Sequence, residues 1–240
     1  MGVCVAGRVW GGRLFVGCLM WVWVLQVVWD LCYTRGMKTI KGIVFDFGGV
    51  ISAAQDGSFW TAAQALTGWN RDQIWAGWRK HRWMLDADFI TPQGLYHLIG
   101  QDLGKQLDGQ TLDQLAQMDY DSWAVPNPET FEWAKTLKSD GFKVGILTNM
   151  PTSFLPWFDR AAAGFRALAD AEVVSGAEHI VKPDPAIYAL MAKRLGLEPA
   201  ELCFFDDMLP NVLAARECGW QSEQFTSVAA AREALATMMS

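Results

Sequence analysis

Cysteine is scarce in this 240-residue chain, and its five copies follow no metal-ligand spacing. Cys4, Cys18 and Cys32 fall before residue 37, Cys203 lies in an apolar run, and Cys218 lies near a helix end. That pattern speaks against a cysteine metal site and a disulfide framework; it reads as reduced thiols of a cytosolic protein. Positive charge is also in deficit. The formal net charge is -6, which argues against a nucleic-acid binder, since such a protein needs a basic surface. No apolar run reaches the roughly 20 residues of a membrane span. The nearest, Leu14–Trp29, stops short and contains Gln26. Arg8 and Arg13 precede it as in a signal peptide, but no small-x-small cleavage site follows. Val16-Gly17-Cys18 stands at the start of the run, where a lipoprotein box belongs at the end.

Residues 1–36 therefore read as a hydrophobic N-terminal extension with two open interpretations. One is a non-native or dispensable segment ahead of a start at Met37, where MKTIKGIVFDF reads as a protein's beginning. The other is a membrane anchor through Leu14–Trp29. The whole chain is 51% apolar and 19% charged, a composition that buries a core rather than staying disordered. The length suits one sizeable core with a small insert.

The organising stretch is Gly42–Val50, GIVFDFGGV. Ile43, Val44 and Phe45 form a short apolar run that suits a strand buried on both faces. Asp46 follows at once, and Gly48 and Gly49 let the chain turn. A carboxylate at the carboxyl end of a buried strand stands where open α/β sheets place their ligands; Asp and Gly are also ordinary turn residues.

Three later stretches repeat the pattern of apolar strand followed by polar group. Phe142–Leu147 leads into Thr148-Asn149-Met150-Pro151, where a hydroxyl and backbone N–H groups can hold a phosphate oxygen. Ala171–Val174 precedes Val181-Lys182-Pro183-Asp184-Pro185, which places a lysine rigidly ahead of a helix ending at Gly196. A positioned ammonium can neutralise a carboxylate and a phosphate together. Leu202–Phe205 ends in Asp206-Asp207, two adjacent acids that repel unless a cation lies close. With Asn211 on the next helical turn, these oxygen donors suit a hard cation such as Mg2+. Gln221–Phe225 is polar, hence at most an edge strand, and Ser227–Met239 reads as a closing helix.

Between the first and second strands, Ser52–Val125 carries only helical signals. Phe59, Trp60, Ala63 and Leu66 share one face; so do Trp75, Trp78 and Arg82, then Leu95, Leu98 and Ile99, then Leu112, Leu115 and Met118. Thr91-Pro92 reads as an N-cap followed by proline at the first helical position. Trp60, Trp69, Trp75, Trp78 and Trp83 are expected to be mostly the core of this module. Arg79-Lys80-His81-Arg82 is a dense basic cluster, either a solvated face or one turned to an anionic substrate.

IVFDFGGV, GILTN, VKPDPAIY and CFFDD, in this order and at this spacing, resemble the four motifs of the haloacid-dehalogenase-like hydrolases. The resemblance runs from about Lys38 to Ser240. It implies an α/β fold: a Rossmann-like parallel sheet flanked by helices, formed by residues 37–51 and 126–240, with residues 52–125 as an inserted helical cap. It further implies Asp46 as nucleophile, Thr148 and Lys182 on the transferring phosphoryl group, and Gly48, Gly49 and Asn149 lining the phosphate site. Mg2+ is expected on Asp46, Asp207 and the Gly48 carbonyl, with Asp206 close behind. Most phosphatases of this family carry a second Asp two positions after the nucleophile. Here Gly48 stands there, as in a branch with this type of cap, and the proton donor is open; His81 is one cap group that can substitute in part. The implied activity is Mg2+-dependent hydrolysis of a small phosphorylated metabolite, a sugar phosphate among the options. The alternatives are a low-turnover member binding a phosphorylated ligand or a protein partner, and a 2-haloacid dehalogenase, against which Asp206-Asp207 counts.

Overall fold

The computed structural model describes residues 39–240, so the extension and its Leu14–Trp29 reading lie outside the described residues. Strand β1 (Gly42–Phe45) is followed by helices α1 (Ser58–Thr67), α2 (Arg71–Asp86), α3 (Pro92–Asp102), α4 (Gly109–Trp123) and α5 (Pro128–Ser139). Then come β2 (Lys143–Thr148), α6 (Leu155–Leu168), β3 (Ala171–Val174), α7 (Pro185–Leu195), β4 (Leu202–Asp206), α8 (Leu209–Glu217), β5 (Gln221–Gln224) and α9 (Val228–Met239). The strands form one parallel sheet in the order β3-β2-β1-β4-β5.

Parallel neighbours need crossovers, and helices on both faces supply them. That is why β1 reads as an unbroken apolar run: all four of its residues are buried. Ile43 and Phe45 join the layer containing Trp133, Phe165 and Phe205, while Val44 points to the other, with Tyr188, Phe204 and Trp220. Phe45 meets Trp133 and Phe165 edge-on, at ring-centroid distances of 5.4 and 5.5 Å. Such a ring, truncated to alanine, costs about 3–5 kcal/mol. Strand β5 is the polar edge strand expected of QSEQ, with only Ser222 buried. The chain moves from β1 outward through β2 and β3, then returns to β4 on the other side of β1. The carboxyl ends of β1 and β4 thus flank the point where the winding reverses, the place open α/β sheets use for ligands.

Helices α1–α4 pack a core of their own around Phe59, Trp69, Ile74, Leu95, Ile99 and Leu115. Asn70 opens α2 with a capping box to Gln73, and the Thr91 hydroxyl accepts from Gly94 N–H at 3.1 Å to open α3. The segment leaves and rejoins the sheet at one place. Ser52 and Pro126 form an antiparallel bridge. Beside it Ala53 N–H donates to Val125 O at 2.8 Å and Asn127 N–H to Ile51 O at 3.0 Å.

The tryptophans correct the sequence expectation. Trp60 and Trp69 are buried, but Trp75 and Trp83 are 40% and 51% exposed. A helical apolar stripe has the same period whether it faces a core or the wall of a cavity, so spacing alone does not separate the two.

Candidate active site

Asp46 follows the last residue of β1 and stays tied to the sheet, its N–H donating to Phe205 O at 2.9 Å. The chain then turns sharply. Gly49 has φ 68°, and a Cβ there would stand 3.1 Å from an Asp207 carboxylate oxygen. A side chain is thus strained on both backbone and steric grounds. Asp206 and Asp207 leave β4, Thr148 and Asn149 leave β2, and Lys182 comes from the loop before α7.

Lys182 is the hub. Its Nζ lies 2.9 Å from Asp46 Oδ1 and 2.5 Å from Asp206 Oδ2, and it donates to Leu147 O at 3.0 Å. An ammonium has three donors, and these contacts use them. The backbone of Lys182 is pinned by Asn149, which accepts from Lys182 N–H at 2.7 Å and donates to Lys182 O at 2.9 Å. The Asn149 side chain, expected at the phosphate, is therefore spent on placing the lysine. Asp206 is fully buried. Besides Lys182 it accepts from Met208 N–H at 2.7 Å and from Asn211 Nδ2 at 3.1 and 3.0 Å. Asn211, noted from the sequence only as an oxygen ligand, faces Asp206 with its amide nitrogen, and its backbone carbonyl accepts from the Tyr188 hydroxyl at 2.9 Å.

Oxygens of Asp46, Asp206 and Asp207 lie within 4.8 Å of one another. Three carboxylates face one ammonium, so negative charge is in excess. Burial pushes Asp46 up to about 7, against the pull of Lys182 and with the push of Asp206 and Asp207. Burial and then Asp206 push Asp207 up to about 6, with Lys182 opposing. Asp206 has its lone pairs occupied by donors. Among the described residues no other side chain donates to the Asp207 carboxylate. An all-oxygen cluster with unspent negative charge fits a hard divalent cation, with the Asp207 carboxylate and the second oxygen of Asp46 open to it and Asp206 behind them.

Every site residue expected from the four strand-end motifs lines one cavity of about 550 Å³, save Asp206, which is sealed beneath it. Thr148 is buried at its floor, and Trp60, Trp75, Trp78, Trp83 and Trp123 form much of its wall. Of the basic cluster only Arg82 reaches the cavity. It is held by Asp86, Nε to Oδ1 at 2.7 Å, with Asp119 Oδ2 3.8 Å from Nη1. Burial opposes its charge, but those two carboxylates outweigh burial and raise its pKa. Lys80 and His81 both bond Asp102, at 2.7 Å each, and Arg79 is exposed. His81 is thus no proton donor to the site: it is committed to Asp102 and does not line the cavity.

Two contacts were not read from the sequence. The indole of Trp123 covers Gly48, where a Cβ would stand 3.3 Å from the ring. Asp88, in the loop after α2, accepts from Thr152 N–H at 2.9 Å and from the Thr152 hydroxyl, fastening that loop next to β2's exit. Trp123 lies far from Gly48 in sequence, and no local pattern pairs them. Asp88 has φ 57°, uncommon outside glycine, and a lone Asp carries no sequence mark of that.

A family model described as haloacid dehalogenase-like hydrolase matches residues 40–219. A phosphatase of Mycobacterium tuberculosis is 28% identical over 197 residues, covering 77% of this chain and 86% of the relative. A family enzyme of Bacteroides thetaiotaomicron, solved as a magnesium complex, superposes with TM-score 0.61 at 19% identity, covering 79% of this chain and 94% of that one. An L-2-haloacid dehalogenase of Xanthobacter autotrophicus with chloropropionic acid covalently bound gives TM-score 0.59 at 24% identity, covering 84% and 85%. These two structural likenesses are of fold. The family-model match spans most of the chain, with the charged groups gathered where four strand-end motifs meet: this protein belongs to the haloacid dehalogenase-like hydrolases.

Proposed function

We propose that the chain is a Mg2+-dependent phosphatase that hydrolyses a phosphate monoester through an aspartyl phosphate on Asp46, with helices α1–α4 (residues 52–125) acting as its cap. The observation that carries this reading is Lys182, whose ammonium spans Asp46 and Asp206 beside the unspent carboxylate of Asp207 at the floor of a cavity. In the first step an Asp46 oxygen attacks phosphorus. The ester P–O bond breaks, and its electron pair leaves with the alcohol oxygen, which takes a proton from water. In the second, water attacks the phosphorus of the aspartyl phosphate, frees the carboxylate and yields inorganic phosphate, its spare proton passing to solvent. Lys182 holds Asp46 in line and offers positive charge to the phosphoryl oxygens; Thr148 offers a hydroxyl. Asp206 and Asn149 act on Lys182, not on the phosphate. Magnesium on Asp46, Asp207 and the Gly48 carbonyl would supply further neutralisation of the phosphoryl charge.

Gly48 favours a second reading, ligand binding with little turnover, because no acid stands at that position and Trp123 covers it. One experiment separates the readings. p-Nitrophenyl phosphate is offered to the wild type and Asp46→Asn, with Mg2+ and with EDTA. The phosphatase reading expects turnover only in wild type with Mg2+, and a loss of orders of magnitude in a folded Asp46→Asn protein. No turnover in any sample favours binding alone, and a rate indifferent to EDTA overturns the metal assignment.

A further inference from the structure

The cavity is far larger than a phosphoryl group, and its wall says what fills the rest. Pockets of this size hold drug-sized ligands. Beyond the charged floor the wall is indole. Trp75 and Trp78 stack with centroids 5.3 Å apart and planes 11° apart, and Trp60 meets Trp75 edge-on at 5.6 Å. Trp75 and Trp83 stay 40% and 51% exposed, and Met208 at the rim 49%. Several large apolar groups left in water around one opening mark a binding surface.

Most polar side chains of the same wall are already engaged. Gln55 donates to Ser122 Oγ at 2.6 Å. Asn149 serves Lys182 and Asn211 serves Asp206. Arg82 sits between Asp86 and Asp119 and stacks its guanidinium 4.8 Å from the Trp78 centroid. Arg71, at the start of α2, is the exception: it lies over the Trp60 ring at 5.7 Å but has no ion-pair partner among the described residues. A sugar needs free donors and acceptors for its hydroxyls, and a short carboxylic acid needs an unspent cation. This wall has few free donors and acceptors, and Arg71, out at the start of α2, is its one cation without an ion pair among the described residues.

We infer that the substrate is the phosphate monoester of a bulky, mainly apolar alcohol, whose hydrocarbon body lies against the tryptophan wall of α1, α2 and α4. The inference rests on the phosphatase reading for the place of the phosphoryl group, at Asp46, Lys182 and Thr148. The alcohol oxygen then points away from the floor toward the indoles.

Primary alkyl phosphates from ethyl to octyl test it, because their leaving groups are nearly alike in acidity and differ in apolar length. Binding to full-length Asp46→Asn protein with Mg2+ is read by tryptophan fluorescence; turnover of the same esters is read on wild type. Burial of each methylene is expected to tighten binding about three- to fourfold until the wall is covered. Trp75→Ala and Trp83→Ala, each added to Asp46→Asn, are expected to reduce that gain per methylene. Glycerol phosphate is expected to bind no better than ethyl phosphate. Equal affinity for ethyl and octyl phosphate, with ethyl phosphate hydrolysed, overturns the inference and leaves the phosphatase reading standing. A chain-length gain undiminished in both tryptophan variants overturns the wall as its source. A chain-length gain in binding, with neither these esters nor p-nitrophenyl phosphate hydrolysed, supports the inference and overturns the phosphatase reading.

Discussion

Gly48 and Trp123 form a pair that sets the chemistry open to this enzyme. Glycine supplies no proton to a departing alkoxide, and general acid help is worth about 10²–10⁴-fold to a poor leaving group. The indole ring, 3.3 Å from where a Cβ would stand, fills the space a carboxylate would take. The wild type is therefore expected to favour phosphates with good leaving groups, seen as a steep dependence of kcat/KM on leaving-group pKa across a series of aryl esters. A slope near zero would mean that another group donates the proton. Gly48→Asp alone is expected to lose activity through collision with Trp123. Gly48→Asp combined with Trp123→Ala is expected to hydrolyse poor leaving groups better than Trp123→Ala alone. Lys182 is the other sensitive position. Replacing it with methionine leaves Asp46 and Asp206 buried without their cation, a change of the kind that costs about 3–5 kcal/mol. Urea unfolding of Lys182→Met is expected to show a loss of that order, with turnover abolished. A loss below about 1 kcal/mol would place the stability of the carboxylates in the bonds from Asn211 and Met208.

The strands and their helices were legible to unequal degrees, for reasons that lie in their surroundings. Strands β1, β2 and β4 are buried on both faces, so apolar runs of four to six residues announced them and their polar ends announced the site. Strand β5 has only Ser222 buried and gave a correspondingly faint signal. Helix α2 was the hardest to read. Its periodicity was plain, but one stripe, with Ile74 and Leu85, enters the core of the inserted helices, and another, with Trp75 and Trp78, faces the cavity. Both stripes are apolar. Nor does a run of four basic residues reveal that Asp102, from α3, takes Lys80 and His81 while Asp86 and Asp119 take Arg82. Those partners are set by packing, which local spacing does not encode. The packing of α2 on α3 turns on Gly77, where a Cβ would come within 2.8 Å of Ile99. Gly77→Ala is expected to cost about 1–3 kcal/mol by overpacking. Its mark would be faster hydrogen exchange in α2 and α3 with the sheet unchanged; uniform exchange throughout would show the inserted helices and sheet unfolding as one.

Every group of the candidate site lies within the described residues 39–240, which form one compact unit. Among them no helix is long and apolar enough to cross a membrane. A chain beginning at Met37 is expected to fold and to hydrolyse p-nitrophenyl phosphate at the rate of the longer chain. Loss of folding on that truncation would show that the earlier residues contribute to the core. EDTA is expected to silence both forms, and Mg2+ but not Na+ to restore them. The bridge between Ser52 and Pro126 bears on the ancestry of such a molecule. All of α1–α4 is spliced into the chain at one point, with entry and exit hydrogen-bonded side by side. A second sheet of this kind could accept residues 53–125 as a graft with a single place of chain entry and exit, provided it offers counterparts of Ser153 for Tyr120, Thr152 for Asp88, Ser175 for the Asp86 carbonyl, His179 for the Ala87 carbonyl and Trp157 for Asp121. Chemistry held on the strand ends and selectivity held on an insert with adjoining ends can be inherited separately. A chimera carrying these helices is therefore expected to keep its host's reaction and acquire this protein's choice of substrate.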